Sequence, residues 1–198
     1  MRRVRPRNAP DTVTISAPLR GEAKLRAALS AFGVRVVGRI CLDLGAAAGG
    51  FTRVLLEAGA ARVYSVDAGF GQLLGSLRQD PRVVNLEATN VAVLDTGLIP
   101  EVIDVLTVDV SYLALAAAVA QLNRITIAPD AELIGLVKPM FELRLATAPS
   151  DPLLVDAATE RAVAGIVAAG WTIIGSMPSP VLGGRGAVEA LVHARRSP

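Results

Sequence analysis

Residues 41–51 read Cys-Leu-Asp-Leu-Gly-Ala-Ala-Ala-Gly-Gly-Phe, and this stretch decides the fold class. An apolar strand, Ile40 to Leu44, runs into a glycine-rich turn. The turn feeds an amphipathic helix, Phe51 to Ala58, and a second strand, Arg62 to Asp67, ends on an acid. Strand, glycine-rich turn, helix, strand and carboxylate form the unit that binds an adenosine-type cofactor at the carboxyl edge of a parallel sheet. Gly45, Gly49 and Gly50 allow close backbone approach and torsions closed to other residues. Asp67 is placed to accept hydrogen bonds from a ribose diol. The turn is not G-x-G-x-x-G, and it carries no Walker lysine, so by itself it leaves the choice of cofactor open.

Outward from this unit the chain alternates. Gly21 to Phe32 has Leu25, Ala28, Leu29 and Phe32 at helical spacing and stops at Gly33. Lys24 lies in its first turn, where a cation opposes the helix dipole and some other partner must favour it. Beyond the second strand, Gln72 to Arg78 reads as a short helix and Val83 to Leu86 as a third strand. Val102 to Val108 is a near-continuous apolar run, typical of a strand buried on both faces, and it ends on Asp109. A helix at Leu113 to Leu122 precedes a fifth strand, Leu133 to Val137, which ends on Lys138-Pro139. Asp151 to Ala169 is a long helix, with Pro152 in its first turn. Trp171 to Gly175 and Val188 to Val192 are the last two strands, with a Gly/Pro-rich loop between them. The pattern predicts an α/β sheet of seven strands, mostly parallel, with an antiparallel edge hairpin and helices on both faces.

Composition narrows the function. At 198 residues one domain is expected, at 15–198, preceded by an Arg- and Pro-rich tail at 1–14 that reads as disordered. No run approaches the roughly 20 apolar residues of a membrane span, and no apolar segment follows the basic N-terminus to make a signal peptide. The single cysteine, Cys41, excludes an internal disulfide, fits a reducing compartment and reads as a buried strand residue. One histidine and one cysteine argue against a metal site. The chain has 20 basic and 18 acidic residues, but six arginines (2, 3, 5, 7, 195 and 196) lie in the tails. Without them the body holds 14 basic against 18 acidic residues, so a basic nucleic-acid-binding face is not supplied by composition.

In an open α/β sheet, ligands bind beyond the carboxyl ends of the strands. The residues at those ends are Asp43 and Gly45, Asp67, Glu87, Asp109 and Lys138. For Asp43 the alternative is that it only pins the turn; for Glu87, that it is solvated. Arginine occurs eighteen times and lysine twice, at Lys24 and Lys138. Unlike arginine, lysine can lose its proton when its environment demands it.

Six segments carry a resemblance: 41–52, Val-Asp-Ala-Gly-Phe-Gly-Gln-Leu (66–73), Leu-Arg-Gln-Asp-Pro-Arg-Val (77–83), Glu-Ala-Thr-Asn-Val (87–91), Val-Asp-Val-Ser-Tyr (108–112) and Leu-Val-Lys-Pro-Met-Phe-Glu (136–142). Together, and in this order, they resemble the TlyA or hemolysin-A-type methyltransferases, within the wider FtsJ-like group of S-adenosylmethionine-dependent RNA 2′-O-methyltransferases. The likeness runs over roughly residues 16–194.

The resemblance implies a Rossmann-like class I methyltransferase fold and S-adenosylmethionine as cofactor. It implies a catalytic tetrad of Lys24, Asp109, Lys138 and Glu189, with Lys138 acting on the attacking 2′-hydroxyl as general base or as stabiliser of the forming alkoxide. Asp109 and Glu189 would hold the two lysines. The cofactor-binding set it implies is Asp43, Gly45, Ala46, Ala48, Gly49, Gly50, Phe51, Asp67, Glu87, Ala88, Asn90 and Asp109. The expected acceptor is RNA, ribosomal by the same likeness, in a cytoplasmic enzyme that requires neither membrane nor metal. The family pattern also has an S4 domain ahead of the body, where this sequence has only its tail. Further departures are Leu-Arg-Gly-Glu-Ala at 19–23, Leu143 to Pro149 in place of a Gly-Lys-Gly-Gly-type loop, and Ala187 in place of an asparagine. All lie on the acceptor side. They leave two alternatives: the same chemistry on a small-molecule acceptor of secondary metabolism, or a non-catalytic RNA-binding relic.

Overall fold

The computed structural model describes residues 18–149 and 151–197, so the tail at 1–14 lies outside the described residues. Seven strands form one sheet: β1 (Ile40–Leu44), β2 (Arg62–Val66), β3 (Val83–Leu86), β4 (Ile103–Val108), β5 (Ile127–Val137), β6 (Trp171–Pro178) and β7 (Ala190–Arg196). Six α-helices accompany them: α1 (Arg20–Phe32), α2 (Gly50–Glu57), α3 (Gly75–Arg78), α4 (Leu115–Ala120), α5 (Pro139–Glu142) and α6 (Pro152–Ala168). The strand order is β3-β2-β1-β4-β5-β7-β6.

Side chains alternate between two cores, one on each face of the sheet, because successive strand residues point to opposite sides. Cys41, Val63, Val105 and Ile134 join Leu25 and Ala28 of α1 and Phe51, Val54 and Leu55 of α2. Leu42, Tyr64, Leu106 and Leu133 join Leu115 of α4 and Ala158, Ala162 and Ile166 of α6. Burial on both faces is why β1 and β4 read as continuous apolar runs. Cys41 is fully buried, and burial, with Asp104 and Asp43 nearby, pushes its thiol up to about 12. The thiol is therefore a core group.

The last two strands pair antiparallel, as the sequence pattern implies, but their placement is more specific than an edge hairpin. After α6 the chain passes to the outer position and lays down β6 parallel to the main set. The loop 179–189 then brings it back, and β7 enters the gap between β5 and β6, antiparallel to both. That insertion delivers Glu189, the residue before β7, to the carboxyl end of β5. β5 itself starts at Ile127, earlier than its apolar pattern suggests. Asp130 and Glu132 interrupt the pattern, and the register against β4 shifts between Ile103 and Val105.

The helix ends follow from local chemistry. Glu22 accepts a hydrogen bond from the Leu19 N–H (3.1 Å) at the start of α1, and Gly33 closes that helix at φ +68°. Asp151 caps α6 through the Leu153 N–H (2.9 Å), with Pro152 at the first helical position. Among the described residues, no helix is long and apolar enough to cross a membrane.

Candidate active site

Among the concavities that the described residues form at the carboxyl edge of the parallel strands, two meet at one ion pair. The first is a crevice of about 190 Å³ around the glycine turn, lined by Arg20, Gly21, Gly45, Ala46, Ala48 and Asp109, with Gly50 and Phe51 behind. The second is a cavity of about 420 Å³ lined by Ser111, Lys138, Phe141, Thr147, Arg185 and Glu189 among others. Asp109 lines the crevice, Lys138 lines the cavity, and the Lys138 Nζ lies 2.5 Å from the Asp109 Oδ1.

Lys138 is held by more than Asp109. Its Nζ donates to the Ser111 Oγ (2.7 Å) and the Val110 carbonyl (3.1 Å), with the Asp109 carbonyl at 3.4 Å. An ammonium has three donors and no acceptor capacity, and every neighbour here is an oxygen. The other lysine forms a second pair: Lys24 Nζ lies 2.5 Å from Glu189 Oε2, both side chains almost wholly buried. This is the partner that favours a cation in the first turns of α1. The two pairs join four elements that are distant in sequence, and two pairs of opposite charge leave no net charge on the four side chains.

The glycine turn is built by close contacts within the protein. A Cβ on Gly45 would lie 2.4 Å from the Asp109 carbonyl oxygen, and Gly45 has φ +85°. Gly45→Ala is therefore expected to lose about 1–3 kcal/mol from the torsion alone and to push the β4 end away. A thermal melt matching wild type would show that this approach is not needed. A Cβ on Gly49 would meet Leu77 at 2.2 Å, so its space is filled by the α3 segment and not by a ligand. Gly50 packs on Gly21, where α2 meets α1. Ala47 takes φ +46° at the crevice, and Ala88 takes φ +54° just beyond β3.

The carboxylates divide into open and closed. Asp43 is fully buried and accepts from Thr52 (2.7 Å) and Thr107 (2.9 Å). It pins α2 and β4 to β1, with both carboxylate oxygens taken by these hydroxyls, and it is not among the residues lining the crevice. Burial pushes its carboxyl up to about 6, against the pull of the two threonine hydroxyls. A raised folded-state value means the native state holds this proton more tightly than the unfolded chain, whose value is about 3.9. The contribution to stability is full below about pH 4 and is lost as pH rises through about 6. Asp43→Asn removes that dependence. The stability difference, wild type minus variant, is expected to fall by on the order of 3 kcal/mol between pH 4 and 7; denaturant titrations at several pH values measure it, and parallel curves would contradict it.

Asp67 sits at the end of β2 and accepts from the Ala47 N–H (2.8 Å) and the Gly69 N–H (2.7 Å), tying the turn to the next loop. Glu87 is occupied by the Gln72 and Leu73 N–H groups (2.6 and 2.9 Å), Asn85 and Arg78. Asn90 caps a short turn through the Ala92 N–H (3.0 Å). In this arrangement Glu87 shapes the 67–78 loop from within, while Asn90 serves its own local turn. Sequence reasoning passed over Arg20, Ser111 and Arg185. The signal for Ser111 was its place two residues after Asp109. Arg20 and Arg185 were hidden among eighteen arginines.

The model for FtsJ-like methyltransferases matches residues 18–196. The chain belongs to the FtsJ-like methyltransferase family. Within it, the chain is 42% identical over 185 residues to the 16S/23S rRNA (cytidine-2′-O)-methyltransferase TlyA of Mycobacterium tuberculosis, covering 89% of this chain and 67% of that protein. A hemolysin-type protein from Lactococcus lactis superposes with a TM-score of 0.86 at 32% identity, over 93% of this chain and 90% of its own. An S-adenosylmethionine-dependent methyltransferase from Mesorhizobium loti shares the fold at TM-score 0.61 and 17% identity, over 89% of this chain and 100% of its own.

The crevice chemistry fits S-adenosylmethionine, the cofactor that the sequence resemblance implies. An amino-acid zwitterion needs one cation and one carboxylate, and the crevice offers Arg20 and Asp109 across small residues at 45–48. The Arg20 side chain has no hydrogen bond or ion pair among the described residues.

Proposed function

We propose that this FtsJ-like methyltransferase transfers the methyl group to a ribose 2′-hydroxyl of RNA, with ribosomal RNA as the acceptor, in the cytoplasm and as a single domain over 15–198. The observation that carries this reading is the Asp109–Lys138 pair, shared by the two concavities. A cofactor in the crevice and a hydroxyl in the cavity would meet across it. The rRNA specificity of the M. tuberculosis relative supports the acceptor class.

When bound, S-adenosylmethionine supplies an electrophilic methyl group on a sulfonium. The chain's own contribution is alignment and charge. Lys138 is fixed by Asp109 on one side and by Val110 and Ser111 on the other. A hydroxyl that replaces Ser111 as an acceptor of Lys138 is oriented by it, and negative charge developing on that oxygen faces an ammonium. The hydroxyl proton leaves to water in the open cavity. Glu189, locked by Lys24, forms the opposite wall. Asp67 remains a candidate for the ribose diol at the end of β2, with Ala88 and its neighbours on the adenine side.

The deciding experiment is transfer of tritiated methyl from S-adenosylmethionine into ribosomal subunits and, in parallel, into a metabolite extract from the same organism. Label is expected in RNA, at a nucleotide that resists alkaline hydrolysis on its 3′ side. Label confined to the extract would replace RNA with a small-molecule acceptor. Calorimetry with S-adenosylhomocysteine tests the catalytic reading independently, since a relic without cofactor affinity would give no heat of binding.

A further inference from the structure

Between β6 and β7 the chain makes a tight loop whose ends are tied, with the Gly183 N–H donating to the Ala187 carbonyl (2.8 Å) and the Ala187 N–H to the Gly184 carbonyl (3.2 Å). At its tip stands Arg185, in the left-handed region at φ +56° and ψ +27°. That torsion is costly for any side chain with a Cβ, and glycines flank the position on both sides. A strained arginine where glycine would be easier calls for a reason at the side chain. Gly183 is packed against Glu189, where a Cβ would lie 2.2 Å from the carboxylate, so the loop is seated on the active site itself.

The charges around the cavity supply the reason. Lys138 is matched by Asp109 and Glu189 by Lys24. Arg185 is exposed at the cavity and has no ion pair or hydrogen bond among the described residues. The cavity therefore carries one uncompensated positive charge, and Arg185 bears it. Met140 and Phe141 line the same space with apolar surface, while Lys138 and Ser111 supply polar groups. At about 420 Å³ the space is of the size that takes one small ligand and not a duplex.

We infer that Arg185 anchors the phosphate of the acceptor nucleotide. Its guanidinium holds a phosphodiester oxygen pair beside the ribose whose 2′-hydroxyl meets Lys138. The base lies on the Met140–Phe141 surface, so the target is a single unstacked nucleotide. The inference rests on RNA as the acceptor class.

Arg185→Gly tests it, because glycine relieves the left-handed torsion and keeps the loop. With ribosomal subunits as substrate, KM is expected to rise on the order of tenfold, with kcat changed far less. The magnitude of the slope of log(kcat/KM) against log[salt] should fall by about 0.7, the loss of one contact to a single strand. S-adenosylhomocysteine affinity should stay unchanged, and the melting temperature unchanged or higher. Arg185→Lys should recover part of the KM. A wild type that labels RNA, alongside an Arg185→Gly variant with unaltered KM and salt slope, overturns the phosphate anchor alone. A wild type that labels no RNA overturns the anchor together with the acceptor class.

Discussion

Lys138→Ala is expected to slow methyl transfer by about two to four orders of magnitude, the range associated with loss of a positioned proton-handling or charge-stabilising group. The residue is suited to a clean test. Its side chain is about 16% exposed and lies at the rim between crevice and cavity, so alanine leaves no sealed void. Asp109 loses its counter-ion, but it is about 21% exposed and can be solvated. Stability should change by no more than about 1 kcal/mol, as for other partly exposed pairs. Single-turnover rates give the loss, and calorimetry with S-adenosylhomocysteine should give an affinity within a few-fold of wild type. A variant that still turns over within tenfold of wild type would remove Lys138 from the mechanism. If cofactor affinity collapses as well, the effect runs through Asp109 and the crevice, which Asp109→Asn would reproduce.

Glu189→Ala is expected to have the largest effect on stability. It leaves the Lys24 ammonium enclosed without a counter-charge, and breaking a buried pair from one side costs about 3–5 kcal/mol. For a domain of this size, that lowers the melting temperature by on the order of 10 °C. Removing both charges at once, with Lys24→Met and Glu189→Leu, should recover most of the loss, because apolar groups of similar volume tolerate the site. If the pair also serves the reaction, the double variant stays folded and remains impaired. Thermal denaturation and methyl transfer measured side by side separate the two. A double variant with full activity would confine Lys24 and Glu189 to architecture.

The sheet was legible because its strands are buried on both faces. Ile40–Leu44 and Ile103–Val108 need no partner information to be recognised, and the glycine turn between β1 and α2 announces a parallel α/β order. Where the polarity pattern failed, the boundaries moved. Asp130 and Glu132 concealed the first half of β5, since Glu132 is buried only by virtue of His193 (2.6 Å) and Arg195 (2.7 Å) on β7. The short helix α5 after Lys138 was not anticipated, because four residues carry no period. The turn glycines were recognisable as necessary, yet the reason differs from residue to residue. Gly45 makes room for the Asp109 backbone, Gly49 for Leu77, and Gly50 for Gly21.

Sequence alone determined the order of elements, the adenosine-type unit at 41–67 and the residues that end each strand, because these depend on local periodicity and on torsions that only certain residues adopt. It also singled out Lys24 and Lys138 by their rarity. Which carboxylate each lysine meets was decided only by tertiary structure. β7 inserts between β5 and β6, and that brings Glu189 across 165 positions to Lys24, while the parallel alignment of β4 and β5 sets Asp109 beside Lys138. Asp43 and Asp67 look alike in the sequence, each acidic and each at a strand end. One lies between β1, α2 and β4 with both oxygens on threonines, and the other holds the backbone N–H groups of Ala47 and Gly69. Burial is a property of what packs around a side chain, and no local pattern carries it.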